Sequence, residues 1–431
     1  MTRLAVRRAR RYCCLLSVLC LLGAGGCTGQ VGGELLRSKK QRDTAPNVSQ
    51  SEQRQLVAGN TEFTFELYHA LRRENGNLFC SPWSISTALA MTYAGARGRT
   101  ERQMAKTLHF SLPQRQLHPA FNALEAALAS RAEDTGEPGE EGFKLEAFKL
   151  HVVNSIWGQK GHRFLPQFLD VLAVNYGAGL QLLDFARAPE PSRAAINRWV
   201  TRETEGKIRD VLPEGSVDTQ TVLVLTDAIY FKAKWDCPFK EKDTRAGAFH
   251  PLRGRDITVD MMWQTEEFKY AEGRDYQAVE LPYRGKKISM IVFLPRQGMF
   301  RTFEGSLNSG RVKAIVDRLA PRSVWLTMPK FRYESAFTLK KVLSEMGMPD
   351  AFGCADFSGI GGGLFIRDVY HKAFVAVDEE GTEAAAATAV PLQGRASREI
   401  EFKVDRPFIF MIRDIKTGAI LFLGRVLNPK A

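Results

Sequence analysis

The sequence has few cysteines and histidines, and neither residue is spaced for metal binding or catalysis. Seven of each occur among 431 residues. Three cysteines lie within the first 20 residues and the other four are far apart, which matches no zinc pattern. The Gly-x-Ser-x-Gly, Ser-x-x-Lys and His-Glu-x-x-His motifs of hydrolases are absent. We therefore expect no enzyme active site, no metal site and no cofactor, and we expect Cys80, Cys237 and Cys354 to be free thiols.

The sequence also lacks the clustered basic and aromatic residues of a nucleic-acid-binding surface. Its net charge is +12, but five arginines and no acids fall in the first 26 residues, which leaves +7 for the remainder. Those charges are spread along the chain, so we expect no nucleic-acid partner. A helical pattern from His118 to Arg131 is rich in Ala, Leu and Glu and is followed by acids up to Glu141. This composition argues against heparin or another polyanion as a partner.

No apolar run is long enough to span a bilayer, but the N-terminus is typical of an exported protein. Five arginines precede the apolar stretch from Leu15 to Leu22, and small residues follow at 23–26. Residues 1–26 are thus a predicted signal peptide. Cys27 then resembles a lipoprotein cleavage site, although Ala24 stands where leucine is usual. We expect a protein lipid-anchored to a membrane at the cell envelope through Cys27, with ordinary signal cleavage and secretion as the alternative.

Residues 27–54 are rich in Gly, Ser, Gln, Lys and Arg and poor in large apolar groups. Such a composition predicts a flexible tether after the cysteine. Apolar residues then recur at helical spacing from Gln55 to Glu74, which indicates an amphipathic first helix. The folded part is therefore expected to occupy residues 55–431.

A strand-like segment near the C-terminus is followed by an unusual run of small residues. Phe374-Val-Ala-Val alternates apolar and small residues, and an acidic pair and Gly381 end it. The run from Ala384 to Ala387 comes next, and a second strand-like segment closes the region near Phe402. On local propensity alone the alanines could instead open a short helix, since alanine is the best helix former.

The amino-acid sequence of this wider region resembles that of the inhibitory serpins. The hinge of their reactive loop is matched by ten consecutive residues: Glu379, Glu380, Gly381, Thr382, Glu383, Ala384, Ala385, Ala386, Ala387 and Thr388. The signature after the loop is matched by residues 404–410, which read Val-Asp-Arg-Pro-Phe-Ile-Phe. The resemblance covers about residues 55–429. It implies an α+β serpin fold with three β-sheets, a large central sheet, eight or nine helices and an exposed reactive loop near the C-terminus.

The resemblance also implies a mechanism and a monomeric inhibitor. A serine protease cuts the loop and remains covalently attached as an acyl-enzyme, while the freed loop inserts into the main sheet as an extra strand. Alternate side chains of an inserting strand face opposite sides. The set running from Thr382 through Thr388 to Val390 contains no bulky or charged side chain, which suits insertion. Pro391 cannot donate to a ladder, so insertion could be less complete at its far end.

In inhibitory serpins the residue before the scissile bond lies fourteen places after the hinge glycine. Counting from Gly381 places Arg395 there, with Ala396 after the cut. Arginine pairs bidentately with a carboxylate, so Arg395 suits a trypsin-like protease with an acidic specificity pocket. An exposed loop arginine without this role is the alternative for Arg395.

The resemblance further assigns a sheet-opening region. Ser81 and Ser84 begin a small-residue helix that would lie beneath the strands that part, and Trp235 would stand where the loop enters. Asp227 occupies a position where the family usually has asparagine, and it would contact His371 on the neighbouring strand. We expect a charge-assisted, pH-sensitive Asp227–His371 pair. Separate partners for the two side chains are the alternative.

Two functions remain open from the sequence. The first is inhibition of trypsin-like proteases by suicide-substrate trapping. The alternative is a non-inhibitory serpin that binds or carries a partner. A charged or bulky residue at Thr382 or among the alanines would favour that alternative, and none is present.

Overall fold

A computed structural model describes residues 33–133, 148–382 and 399–431 of the chain. Over these ranges it contains nine α-helices and sixteen β-strands. The helices are α1 (Gln50–Leu71), α2 (Pro82–Tyr93), α3 (Gly98–Thr107), α4 (Gln114–Glu133), α5 (Pro166–Tyr176), α6 (Pro189–Glu203), α7 (Phe300–Gly305), α8 (Ser309–Val316) and α9 (Lys340–Met346).

The strands form two hydrogen-bonded sheets within the described residues. The main sheet has seven strands in the order β1-β4-β3-β5-β13-β12-β11. These are β1 (Glu34–Leu36), β3 (Phe148–Gln159), β4 (Leu180–Leu183), β5 (Leu223–Lys234), β11 (Phe331–Thr338), β12 (Val369–Val377) and β13 (Gly381–Thr382).

The second sheet has nine strands and corresponds to the other two sheets expected from the resemblance. Its strands are β2 (Leu78–Cys80), β6 (Arg245–Phe249), β7 (Ile257–Glu272), β8 (Tyr276–Pro282), β9 (Ile288–Pro295), β10 (Ala320–Pro329), β14 (Ile400–Lys403), β15 (Phe408–Asp414) and β16 (Ile420–Val426). The sixteen-residue strand β7 joins the two parts, because it pairs with β6 and β10 along most of its length and with β8 at its end. The α+β serpin architecture expected from the sequence is confirmed.

Helix α2 lies buried beneath the main sheet, and its sequence explains why it can. Pro82 occupies the first turn, where its missing N–H costs nothing, and the Ser81 side chain caps the helix by accepting from the Ser84 N–H. All twelve residues of the helix are buried, and several are Ala, Ser or Thr. Small side chains allow the helix to approach both β3 and β5 closely.

Several predicted elements are present with shifted ends. The first helix begins at Gln50 rather than Gln55, because Ser49 and Glu52 form a capping box there. Helix α9 ends at Met346 and is capped by Gly347, which has a φ of 130°. Strand β7 was not predicted, because its alternation of buried and exposed residues is broken where Met261 and Met262 are both buried.

The predicted tether is wrong for the part of it that the structure describes. Residues 33–48, here called the N-terminal strap, lie along the body of the protein, and β1 extends the main sheet by pairing with β4. Arg42 donates to Asn122 Oδ1 and Glu125 Oε2, both at 2.9 Å, and the Asp43 N–H donates to the Val174 carbonyl. The polar residues that suggested flexibility are instead used in contacts with α4 and α5.

Candidate functional site

The main sheet is parted at one end, and the start of the predicted hinge lies in the gap. Strands β5 and β12 pair directly as parallel neighbours from Val369 with Leu225 to Phe374 with Tyr230. Beyond that point β13 lies between them, with Gly381 opposite Lys234 and Thr382 opposite both Ala233 and Val377. The sheet therefore already holds the first two residues of an antiparallel central strand.

Gly381 is required at this position because the backbones come very close. A Cβ atom added to Gly381 would lie 2.0 Å from the Ala233 carbonyl oxygen and 2.8 Å from the Lys234 Cα. Both are backbone atoms of β5 that cannot move aside without disturbing the sheet. Glycine is thus required at this hinge position by close packing and not by an unusual φ angle.

An ion pair holds the turn that precedes β13. Glu379 is 4% exposed and accepts from Lys330 Nζ at 2.8 Å and from Thr244 Oγ1 at 2.6 Å. Burial tends to raise the pKa of Glu379, but the hydrogen bonds from Lys330 and Thr244 outweigh it and hold the pKa below its usual value. The same contact raises the pKa of Lys330 against the opposing effect of burial. Both groups are therefore charged near neutral pH.

Trp235 packs against the same turn. Its backbone N–H donates to the Glu380 carbonyl at 2.8 Å, and its indole Nε1 donates to the Asp378 carbonyl at 3.1 Å. The indole stacks on Tyr283 with ring centroids 4.6 Å apart, and the Tyr283 hydroxyl hydrogen-bonds Thr382 Oγ1 at 2.8 Å. The two aromatic residues thus bind both sides of the hinge.

Asp227 and His371 lie opposite each other in the closed part of the sheet. They are paired in the β5–β12 register, and His371 Nδ1 is 3.1 Å from Asp227 Oδ2, with both side chains fully buried. The ring is not oriented to make this contact a hydrogen bond, and neither atom has another hydrogen-bond partner among the described residues. The two side chains are thus in contact, but the charge-assisted hydrogen bond expected between them is not formed in this geometry.

The serines at the start of α2 bind this pair from below. The Ser84 hydroxyl lies 2.6 Å from Asp227 Oδ1 and donates to it, and the Ser81 backbone N–H donates to His371 Nε2 at 3.2 Å. A nitrogen that accepts cannot carry a proton, so His371 is the neutral tautomer protonated at Nδ1. Asn154 of β3 completes the group by donating to the Ser84 carbonyl at 3.1 Å.

A cluster of cations lies on the other face of the sheet, beside the gap. Lys149 on β3 is directly opposite Lys232 on β5. Burial lowers the pKa of Lys207, and the nearby charges of Lys232 and Arg332 lower it further, while the Glu205 carboxylate acts in the opposite direction. We call Lys149, Lys207, Lys232 and Arg332 the cation cluster.

The remaining predicted site residues lie outside the described residues. They are Cys27, Glu383, Ala384, Ala385, Ala386, Ala387, Thr388, Arg395 and Ala396. The structure adds Lys330, Thr244, Tyr283 and Asn154, which the sequence analysis did not assign to the site. Each acts across more than 45 residues of chain, and a sequence pattern carries no signal for such contacts.

The described residues contain no cluster of three metal-binding side chains, and none of their helices could cross a membrane. Cys80, Cys237 and Cys354 are free thiols, and burial raises the pKa of Cys80 far above its usual value.

Comparison with known proteins agrees with this geometry. The family model described as serpin (serine protease inhibitor) matches residues 58–429. An uncharacterized serpin-like protein of Thermococcus kodakarensis is 39% identical over 98% of this chain and 99% of its own length. Human leukocyte elastase inhibitor is 38% identical, over 87% of this chain and all of its own length. The structure of human thyroxine-binding globulin superposes with a TM-score of 0.78 at 28% identity, covering 88% of this chain and all of that one. The chain therefore belongs to the serpin family.

Proposed function

We propose that this chain inhibits trypsin-like serine proteases as a suicide substrate. The serine of the protease attacks the carbonyl carbon of Arg395, an acyl ester forms there, and Ala396 leaves as a new amino terminus. The freed residues after Thr382 then enter the gap between β5 and β12. The observation that carries this proposal is the seated hinge, since β13 already forms the first two residues of the strand that insertion would extend.

The register of β13 specifies where the later residues would go. Each step forward from Thr382 is one step back along β5 and along β12. Continued without a bulge, this register places Ala384 opposite Phe231 and Ala386 opposite Ile229. Thr388 would then lie between Asp227 and His371, the pair that now closes the sheet.

The side chains facing the core suit this path. Thr382 points toward Tyr283, on the same side of the sheet as the contact between Asp227 and Ser84. The residues that alternate with Thr382 are Ala384, Ala386, Thr388 and Val390. None of them is charged or large, and the Thr388 hydroxyl could satisfy the Asp227 and His371 atoms that now lack partners.

The other face of the inserted strand would meet the cation cluster. In the same register Glu383 would lie opposite Lys232, on the face away from Tyr283. Opposite charges across a sheet attract, so the Glu383 carboxylate would gain a favourable interaction with Lys232 after insertion.

Pro391 is less of an obstacle to strand insertion than the sequence suggested. Val390 would lie opposite Val369, which is the first residue of β12. Pro391 would therefore fall beyond the end of that strand, where its missing N–H is not needed for a bond to β12. The full length of β12 can be paired by residues that have a backbone donor.

Insertion would add roughly a dozen hydrogen bonds at about 0.5–1.5 kcal/mol net each. The total is on the order of 10 kcal/mol, which is comparable to the stability of an ordinary domain. The uncut form is then held by a kinetic barrier. Rapid insertion draws the acylated protease away from the loop before the ester hydrolyses.

The test is to mix the purified protein with trypsin. We expect a band on a denaturing gel at the combined mass that survives boiling, and a large gain in heat resistance after cleavage at Arg395. Cleavage without the high-mass band or without the gain in heat resistance would overturn the proposal. That outcome would favour the alternative, a serpin that binds or carries a partner. The structural similarity to thyroxine-binding globulin is consistent with this alternative.

We also propose that the protein is exported and anchored in a membrane by a lipid on Cys27. The support is the sequence alone: a basic and apolar N-terminus followed by small residues and a cysteine. Radiolabelled palmitate should be incorporated during expression in a lipoprotein-processing host and should be lost in Cys27→Ser. Equal labelling of the two proteins would contradict a lipid on Cys27.

A further inference from the structure

A cavity of about 410 Å³ lies between the N-terminal part of α4 and helix α5. Ala94, at the end of α2, and Gly359, in the segment between α9 and β12, complete its wall. This volume is within the range of small-molecule sites. None of the lining residues belongs to the hinge or to the sheet-opening region, so the proposed inhibition does not account for the cavity.

Much of the cavity wall is apolar. Phe168, Val171 and Val174 line it from α5, and Pro119 lines it from α4. Pro119 lies inside the helix, where it lacks the N–H that would otherwise bond the Arg115 carbonyl. Small-molecule sites typically combine such apolar walls with a few polar groups that fix the orientation of the ligand. The wall therefore favours a ligand with an apolar body.

The charged side chains that line the cavity are both positive. They are Arg97 and Arg115, and none of the described lining residues is acidic. The Arg115 side chain is exposed and forms no ion pair or hydrogen bond with another described residue. Its guanidinium is therefore available to a ligand.

The guanidinium of Arg97 is held in place at the cavity wall. Its Nη1 donates to the carbonyl oxygens of Ala94 and Ala96, at 3.0 and 2.7 Å. Its Nη2 packs against Gly359, where an added Cβ atom would lie 2.6 Å from that nitrogen. Asp356 is near enough to interact electrostatically with Arg97, but the two form no ion pair. Arg97 thus presents a fixed positive charge without a bound carboxylate.

Two helix N-termini add to the positive potential at the cavity. Gln114 and Arg115 are the first two residues of α4, and Gln167 and Phe168 lie in the first turn of α5. Neither helix has an acidic residue in its first turn. Glu101 of α3 accepts from the Gln114 amide at 3.0 Å but does not line the cavity. Because the N-terminus of a helix carries a partial positive charge, both helices favour an anionic group here.

His118 of α4 also lines the cavity and has a polar atom without a partner. Its side chain is 4% exposed, and its Nδ1 is 2.8 Å from the Tyr176 hydroxyl, which is outside the lining. Its Nε2 is buried and has no hydrogen-bond partner among the described residues. Burial lowers the pKa of His118 to about 4, so the ring is neutral near pH 7.

The neutral ring fits a ligand oxygen. When the Tyr176 hydroxyl donates to Nδ1, the proton of His118 is on Nε2, which can then donate. A buried donor without an acceptor is unfavourable, and Nε2 is the remaining polar atom that this ring can offer to a ligand. An acceptor group on a bound molecule would satisfy it.

We propose that this cavity binds a small organic acid, with its carboxylate at Arg97 and Arg115 and its apolar body against Phe168 and Val171. Guanidinium groups and carboxylates form strong, charge-assisted hydrogen bonds. A water molecule occupies about 30 Å³ in the liquid, so the cavity has room for about fourteen non-hydrogen atoms. The proposal is independent of protease inhibition, because it uses none of the hinge residues.

The test measures binding of 3-phenylpropionate to the purified protein by titration calorimetry. We expect one saturable site with a dissociation constant below about 1 mM. The probe should also raise the thermal midpoint of the uncut protein, since a ligand of the folded state stabilises it. The amide 3-phenylpropionamide has nearly the same shape without the charge and should bind at least about tenfold more weakly.

Three variants locate the site. Arg115→Gln should weaken binding of 3-phenylpropionate about three- to tenfold, because Arg115 is exposed and solvent screens part of its charge. Val171→Phe places a larger side chain in the wall and should weaken binding at least as much. Arg102→Gln is the matched control, because Arg102 is an exposed arginine of α3 outside the lining, and it should bind as the wild type does.

The outcomes decide the proposal. Absence of saturable binding up to about 10 mM 3-phenylpropionate would overturn it, as would equal affinities for the acid and the amide. Wild-type affinity in both Arg115→Gln and Val171→Phe would place the probe elsewhere, which also overturns it. If Val171→Phe proves unstable, Arg115→Gln decides alone, since an exposed side chain can be replaced without disturbing the packing of α4 against α5.

Discussion

Asp227 and His371 lie side by side, with 3.1 Å between carboxylate oxygen and ring nitrogen, at the place where two strands of the main sheet are still joined. Their outer atoms are already bound by the first turn of α2, since Ser84 donates to Asp227 and the Ser81 N–H donates to His371. Any event that separates β5 from β12 must break this arrangement. Its stability therefore bears directly on how long the uncut form persists.

Asp227→Asn should make the uncut form less sensitive to acid. A second proton on His371 would point an N–H at the Ser81 N–H and remove that hydrogen bond. The new charge on the ring would then lie beside the Asp227 carboxylate, a partner that Asp227→Asn removes. Histidines exchange protons between about pH 5 and 8. We expect the ratio of spontaneous inactivation rates at about pH 5.5 and 7.5 to fall roughly three- to tenfold in the variant, in line with about 1 kcal/mol for one net hydrogen bond.

Asp256→Asn is the matched control, because Asp256 forms an Asp–His contact with His250 that is exposed to solvent. Its ratio should equal that of the wild type. An unchanged ratio in Asp227→Asn would show that the buried pair does not set the pH dependence.

Lys330→Ala should loosen the hinge. The substitution leaves Glu379, whose side chain is 6% exposed, without its charged partner, while the half-exposed lysine itself loses little. We expect the thermal midpoint to fall by about 2–4 °C and spontaneous inactivation of the uncut form to accelerate. Lys341→Ala, at an exposed lysine on α9, should leave both unchanged. Equal midpoints for the wild type and Lys330→Ala would contradict a stabilising role for the pair.

The pair also predicts a dependence on pH. The pKa of Glu379 is lowered in the folded state, so its contribution is present above the usual glutamate value and is lost as the pH falls through the lowered value. The difference in thermal midpoint between the wild type and Lys330→Ala should therefore shrink in acid. Midpoints measured from about pH 7 down to pH 3 would test this sign.

Thr388→Arg should convert the inhibitor into a substrate. In the register of β13 this side chain would be forced between Asp227 and His371 beneath the sheet. Burying an additional charge costs several kcal/mol, and each 1.4 kcal/mol is a factor of about ten. We expect the yield of covalent complex with trypsin to fall at least about tenfold while cleavage continues. Thr388→Ser retains the hydroxyl and should trap as the wild type does, and trapping by Thr388→Arg would rule out this register.

Arg42→Ala should release the N-terminal strap. The guanidinium joins the strap to Asn122 and Glu125 of α4. Its loss leaves the strap held by Ser38 and Lys40, which both bind Asp170, and by the backbone of Asp43. We expect faster cleavage of residues 33–48 by a nonspecific protease, and a fall in thermal midpoint of no more than about 2–4 °C. Arg54→Ala, at an exposed arginine of α1, is the control. Equal cleavage rates for the two variants would show that Arg42 does not hold the strap.

The sequence predicted the parts of the site that depend on short local motifs. Gly381, Trp235 and the Asp227–His371 contact fall where the motifs placed them. The partners that hold those residues were not predictable in the same way. Thr244, Tyr283 and Lys330 come from three other segments, and only the folded chain brings them to the hinge.

The N-terminal strap shows more clearly what could not be predicted from the sequence. Its composition is that of a solvated linker, and composition was the only available signal. What orders it is a set of bonds to residues between Asn122 and Leu182, at separations of 80 to about 150 residues along the chain. From sequence alone, polar residues that bind distant parts of the fold cannot be distinguished from polar residues that are solvated.

The strap has a practical consequence for any shortened version of the protein. A chain started at Gln55, where the amphipathic pattern begins, would lack β1 and the Ser49 cap of the first helix. The outer rim of β4 would then present bare amide and carbonyl groups to solvent, which is the usual starting point for edge-to-edge aggregation. Aggregation of such a shortened protein would then obscure any measurement of its inhibitory activity.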